Sequence, residues 1–269
     1  MNIKPIMGTR KHRNKTAAKR PARHPPARSA TASSTDWLYG RHAVLAALRN
    51  PNRRCRRLLM TAEAERAVGD STGTDPAPEI VERNRLNDLM PGAVHQGVAL
   101  LADPLPEPGL AEAASPAADR NNTVLVLDQV SDPHNVGAIL RSADAFAARA
   151  IVTTDRNAPS ATGALAKAAS GAVERVPMVR VANLAQALDT LGQLGYWRIG
   201  LAADGERDLA DCREFGNVAL VLGAEGKGLR RLTAAKCDLL ARIPMPGAMT
   251  SLNVSNAAAV ALYELCRQP

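Results

Sequence analysis

The stretch "TVLVLDQVSDPHNVGAILRSADAFAARAIVTT", residues 123–154, decides the fold. Its first six residues form an apolar run without alternation, the mark of a strand buried on both faces. Asp132 then suits a helix N-cap and Pro133 the first helical position. Val136, Ile139, Leu140 and Ala143 follow at helical spacing as a buried stripe. "RAIVTT" (149–154) reads as a second strand.

The same alternation continues toward the C-terminus. "SATGALAKAAS" (160–170) reads as a helix, "VPMVRV" (176–181) as a strand, "NLAQALDTLGQLG" (183–195) as a helix and "WRIGLAA" (197–203) as a strand. "VALVLG" (218–223) is a very apolar strand, "GLRRLTAAKC" (228–237) a helix, "LLARIPM" (239–245) a strand, and "SLNVSNAAAVALYELCRQ" (251–268) a closing helix. Strand and helix in alternation predict an α/β fold: an open, mainly parallel sheet with helices on both faces. Such sheets bind ligands at the carboxyl ends of their strands.

Three strand ends stand out. After the first strand, Asn135 opens the helix, and Gly137 and Arg141 lie four residues apart. Gly137 costs the helix about 1 kcal/mol relative to Ala. It either leaves a notch beside the guanidinium for a ligand backbone, or marks a close helix–strand contact next to a surface arginine. After "VALVLG" comes "AEGKGL", where Gly223, Gly226 and Gly228 permit tight turning and expose N–H groups. Lys227 is followed by Gly228, so this is neither a P-loop nor a dinucleotide fingerprint. Glu225 sits among the glycines, as a functional acid or as a cap for the helix near Leu229. After "LLARIPM" comes "PGAMTSLNVSNAAA", in which Pro244, Pro246 and Gly247 force a turning loop. Ser251, Asn253, Ser255 and Asn256 gather at a helix start, with Thr250 or Ser251 the plain alternative as its cap.

The N-terminal part differs in kind. The whole chain carries a net charge of +8, but residues 1–35 hold nine Lys/Arg and no acid, so the rest sums to −1. That tail, without large apolar groups, is expected to be disordered; it lacks the apolar segment of a secretory signal, and its prolines argue against a mitochondrial presequence. From 36 to 102 a small α/β unit is expected: a helix in "YGRHAVLAALRN", a strand in "RRLLMTA", a helix in "EIVERNRLNDLM" and a strand in "HQGVALLA". Residues 103–122, with four Pro, read as a linker to the unit at 123–269. Arg41, Arg53, Arg54, Arg56 and Arg57 lie in an acid-free stretch and are candidate contacts to a polyanion such as RNA; a solubilising role is the plainer alternative. Cys55, Cys212, Cys237 and Cys266 are scattered, which suits reduced thiols in the cytoplasm and no disulfide frame. No metal-ligand spacing and no membrane-spanning run is present in the sequence.

"NVGAILR", "LVLGAEGKGL" and "IPMPGAMTSLNVSNAAAVALYE" resemble the three ordered motifs of the SpoU (TrmH-like) branch of the SPOUT RNA 2′-O-ribose methyltransferases. "YGRHAVLAALRN" and "GAVHQGVAL" resemble the L30e-like substrate-binding domain of one subgroup, which includes the bacterial 23S rRNA (guanosine-2′-O-)-methyltransferases. The resemblance implies a C-terminal trefoil knot, S-adenosylmethionine as cofactor without a metal, 23S rRNA as partner, and a homodimer. It carries over Arg141, Asn135, Glu225, Ser251 and Asn253 as functional polar positions. Gly223, Ile243 and Leu252, with Gly226, Gly228 and Pro244 beside them, become cofactor positions. Relative to the family the N-terminal unit is short, and the basic tail is an extra.

That chemistry needs a group that positions a ribose oxygen and offsets its developing charge. Arg141 suits both, as a charged template that stays protonated and also holds a phosphate. Glu225 and Asn253 are expected to fix the arginine and the ribose, and Asn135 to brace the loops. A tRNA substrate and a non-catalytic RNA-binding protein of the same fold are the alternatives. The missing phosphate-loop and dinucleotide fingerprints argue against a small-molecule enzyme.

Overall fold

Every residue of β5 (Thr123–Asp128) is buried, because parallel neighbours flank it and helices cover both its faces. A computed structural model describes residues 36–68, 75–119, 121–156, 163–249 and 251–267. The tail expected to be disordered, residues 69–74 and Thr250 lie outside them.

The N-terminal unit comprises β1 (Asp36–Tyr39), α1 (Arg41–Arg49), β2 (Cys55–Met60), α2 (Ala62–Val68), β3 (Pro78–Ile80), α3 (Arg83–Leu89) and β4 (Val98–Ala102). Its sheet runs β1-β4-β2-β3, with β4 antiparallel to β1 and β2, and β3 parallel to β2. The segment read as one helix from Glu79 divides. Its start pairs with β2 as β3, an edge that the Val81 N–H bond to Met60 O extends, and only Arg83–Leu89 is helical. An open strand edge supplies backbone partners that local helix propensity does not foresee.

The chain continues through α4 (Leu110–Ala113), β5, α5 (Pro133–Ala145), β6 (Ala150–Thr154), α6 (Gly163–Ala169), β7 (Met178–Val181), α7 (Leu184–Gln193), β8 (Trp197–Leu201), β9 (Arg207–Asp208), β10 (Val218–Gly223), α8 (Arg231–Ala234), β11 (Leu239–Arg242) and α9 (Val254–Cys266). The seven strands order as β7-β6-β5-β10-β8-β11-β9, all parallel. Alternate residues of β5 and β10 feed opposite cores. Leu125, Leu127, Leu220 and Leu222 pack with α5, α6 and α9, whereas Val124, Val126, Ala219 and Val221 pack with α7 and α4. The stretch read as a linker is partly built in: Ala114 is fully buried, and the Tyr196 hydroxyl donates to its carbonyl at 2.9 Å.

The two sheets touch through α6. A Cβ on Gly163 would strike Tyr39 and the Trp37 carbonyl, and Lys167 Nζ donates to Val94 O. Beside this contact, Arg53 and Glu174 form an ion pair with each side chain only 4% exposed. Asn50 also donates to Glu174, at 2.8 Å.

Candidate active site

The parallel sheet delivers the ends of β5, β10 and β11 to one rim, and the loops after them meet there. Asp132 caps α5, its Oδ1 accepting from His134 N at 3.0 Å with Pro133 in the first turn. Three positions after the cap, Asn135 Nδ2 donates to Glu225 Oε1 at 3.2 Å. Asn253, the N-cap of α9, donates through Nδ2 to Glu225 Oε1 at 2.6 Å and to Asn135 Oδ1 at 3.0 Å. Its Oδ1 accepts from Ser255 N, Ser255 Oγ and Asn256 N. Both ends of the Asn253 amide are thus committed, which fixes its orientation. Asn253 therefore caps α9, not Thr250 or Ser251. Glu225 does not cap the helix after Leu229; it accepts from Val254 N at 3.4 Å, at the start of α9. One carboxylate oxygen gathers three loops that are distant in sequence.

Beside this network lies a cavity of about 250 Å³. Gly223, Gly226, Gly228, Ile243, Ser251 and Leu252 line it, all expected site residues, and Glu225 borders it. Leu201, Ala202, Ala203 and Met245 line it too and were not among the expected residues; the available signal was that "GLAA" closes a strand at the same rim. Pro244 is exposed and outside the lining. The walls are mostly apolar, with backbone of the 223–228 turn on one side. Gly226 and Gly228 have φ of +74° and +63°, a backbone that favours glycine. An adenosyl group fits such a site, which offers apolar faces for a ring and main-chain groups for its edge. Among the described residues no cluster of His, Cys, Asp and Glu is arranged for a metal.

Arg141 is exposed on α5 and does not line this cavity. Among the described residues it has no hydrogen-bond or ion-pair partner, so its guanidinium is available to a phosphate. The expected fixing of this arginine by Glu225 and Asn253 is absent, since those two bind Asn135 and each other. Gly137 is not a ligand notch either. It is buried, and a Cβ there would overlap Ala168 and stand 3.0 Å from Leu165 O and Ala169 N. It serves close packing of α5 on α6, a helix–helix contact and not a helix–strand one.

The arginines proposed for RNA divide as sharply. Arg53 is not presented to solvent; besides Glu174 it donates to Asp103 O at 2.9 Å. Arg41 is half-buried, its Nε without a partner. Arg56 grips Asp103 through two bonds and Arg57 grips Glu79 likewise. These hydrogen bonds hold both carboxyls below the usual range. Arg54 is the most exposed, at 73%, and only 4.0 Å from Asp103. The site reading missed Asp128 and Arg230 altogether: Arg230 Nε reaches Asp128 Oδ1 at 2.6 Å beneath the glycine turn.

Comparison with known proteins follows the same division. The model of the SpoU rRNA Methylase family matches residues 122–263, and that for RNA 2′-O ribose methyltransferase substrate binding matches residues 37–108. The 23S rRNA (guanosine-2′-O-)-methyltransferase RlmB of Vibrio vulnificus is 39% identical over 254 residues, spanning 87% of this chain and 98% of that protein. The enzyme of the same name from Pseudomonas syringae pv. tomato is 40% identical over 246 residues, spanning 88% and 97%. The crystal structure of the SpoU methyltransferase AviRb from Streptomyces viridochromogenes, in complex with the cofactor AdoMet, superposes with a TM-score of 0.71 and 23% identity. It covers 86% of this chain and 88% of that one, and this likeness is one of fold.

Proposed function

The chain belongs to the SpoU rRNA methylase family, and from that premise we infer that it methylates a ribose 2′-hydroxyl of RNA, a guanosine of 23S rRNA, using S-adenosylmethionine. The observation that carries this is the Asn135–Glu225–Asn253 network, which locks three strand-end loops around one adenosyl-sized cavity. The relatives named for 23S rRNA guanosine, matched over nearly their whole length, support the substrate.

When bound, S-adenosylmethionine supplies an activated methyl group on a good leaving group. The chain must hold the ribose oxygen and offset its charge as the proton leaves. Gly223, Gly226, Gly228, Ile243 and Leu252 hold the cofactor, and Ser251 faces the cavity beside them. Arg141, whose guanidinium has no partner among the described residues, takes the phosphate next to the target ribose. Glu225 and Asn253 work one step back, fixing loop geometry with Asn135.

Residues 36–102 hold RNA in this reading, 103–122 connect, and 123–269 carry the chemistry. Of the five arginines expected to contact RNA, Arg54, Arg56 and Arg57 face solvent and remain candidates. A trefoil knot belongs to the same reading, which membership of the family supports. So does a homodimer, supported by Val260 and Tyr263 of α9, exposed by 43% and 56%. A cytoplasmic location belongs to the same reading, because rRNA is the inferred substrate. Among the described residues no helix is long and apolar enough to cross a membrane.

The test is incubation with methyl-labelled S-adenosylmethionine and either unmodified 23S rRNA or tRNA, followed by nucleoside analysis. Label should appear as 2′-O-methylguanosine in rRNA. Arg141→Ala should lower kcat by about 100- to 1,000-fold while cofactor affinity is kept. Label in tRNA alone would overturn the substrate, and full turnover by Arg141→Ala would overturn the role of the arginine.

A further inference from the structure

We propose that Asp128 and Arg230 are a positioning pair that sets the cofactor-binding turn, residues 224–229. This rests on the function proposed above and adds to it two residues outside the lining of the cavity.

The turn carries two duties. Its tip, Glu225, ties Asn135 to Asn253, and its glycines wall the cavity. Nothing packs where a Cβ on Gly226 or Gly228 would stand, since it would meet no atom within 4 Å. Apart from the bonds to Glu225 at its tip, the turn is shaped from its ends. At its base Gly228 N bonds to Ala224 O at 2.9 Å, and the returning chain passes so close to Gly223 that a Cβ there would lie 2.5 Å from Leu229 N.

At its exit the anchor is Asp128. Arg230 donates to one carboxylate twice, from its backbone N at 3.0 Å and from Nε at 2.6 Å. Asp128 is fully buried, whereas Arg230 is 46% exposed. A buried carboxylate is retained only with partners that satisfy it, and both these bonds come from the residue that ends the turn. Asp128 is also the last residue of β5, directly opposite Gly223 in the sheet register. The chain leaves it through Gln129, at φ +64°, toward Asp132 and Asn135. One carboxylate thus sets where two motif loops depart from the sheet. The same bonds hold Arg230 extended, at φ −64° and ψ 147°, so α8 begins only at Arg231.

The experiment is calorimetric titration of S-adenosylmethionine into the full chain, for wild type, Arg230→Met and Arg230→Lys, with steady-state kinetics beside it. Arg230→Met should weaken cofactor binding by about tenfold or more, because displacement of the wall by a fraction of an ångström is costly. The KM for S-adenosylmethionine should rise by the same factor, while kcat at saturation and RNA affinity hold. Arg230→Lys, which keeps a cationic donor, should recover most of the loss. A folded Arg230→Met protein with wild-type cofactor affinity, destabilised or not, would overturn the proposal and leave the pair a structural anchor for α8. If that variant does not fold, Asp128→Asn, which keeps the volume and an acceptor for the Arg230 N–H, is read by the same criterion. Wild-type protein that failed to bind S-adenosylmethionine would instead remove the function on which the pair depends.

Discussion

The strand β2 of the small sheet and the helix α5 of the large one both carry arginines, and they deploy them in opposite ways. Around β2, charge is spent internally: Arg53 is buried on Glu174, and Arg56 and Arg57 each hold a carboxylate with two bonds. On α5, Arg141 stands in solvent without a partner among the described residues. Its polar neighbours in the motifs bond to one another instead. A cation is most available to a ligand where the protein leaves it unpaired, and pairing depends on residues far away in the chain, such as Glu174 for Arg53.

The largest effect expected from this contrast is on stability. Glu174→Ala should cost about 3–5 kcal/mol, since it leaves the Arg53 charge buried and uncompensated. Arg141→Ala, at the surface, should change stability by no more than about 0.5 kcal/mol. Urea denaturation of both would break the contrast if the two losses were alike.

Gly137→Ala sharpens it on the catalytic side. The added methyl group must push α5 from α6, an overpacking cost of about 1–3 kcal/mol that outweighs the gain in helix propensity. Were the glycine a ligand notch, the variant would be at least as stable as wild type and defective only in binding. Thermal melts and substrate titration tell these apart.

The smallest effect belongs to the N-terminal unit and is a pH dependence. His95 is nearly buried; its Nδ1 accepts from Gly97 N and its Nε2 bonds to Asn87 Oδ1. Burial first, then the charges of Arg83 and Lys167, lower its pKa from the ordinary 6.5. The unfolded chain therefore takes up the proton first. Stability is full above about pH 6.5 and falls as the pH drops below it toward the folded-state value. Urea titrations at pH 7.5 and 5.5 should show this loss, and His95→Gln should reduce it; an identical slope in both proteins would rule the histidine out as its source.

Legibility followed the range of the interaction. The cap at Asp132, the stripe on α5 and the buried run of β5 are local patterns, and the structure contains each as expected. β3 was misread because its stabilising partner is β2, and α8 was overextended because a bond from Arg230 to Asp128 holds its start open. Ala114 was assigned to a linker, although a packed Tyr196 holds its carbonyl.

The candidate site shows the same limit. Asn135, Glu225 and Asn253 were legible as polar residues where strand ends needed none, but their mutual bonding was not, nor was the absence of Arg141 from the network. By itself, the sequence determined the parallel α/β architecture, the rim where ligands bind and the family, because period, turn chemistry and ordered motifs are written in consecutive residues. Only the tertiary structure decided which charges are available, what Gly137 packs against and how Asp128 governs the glycine turn. Those outcomes depend on contacts between residues far apart in the chain, 121 positions for Arg53 and Glu174, and on burial that only the folded chain creates.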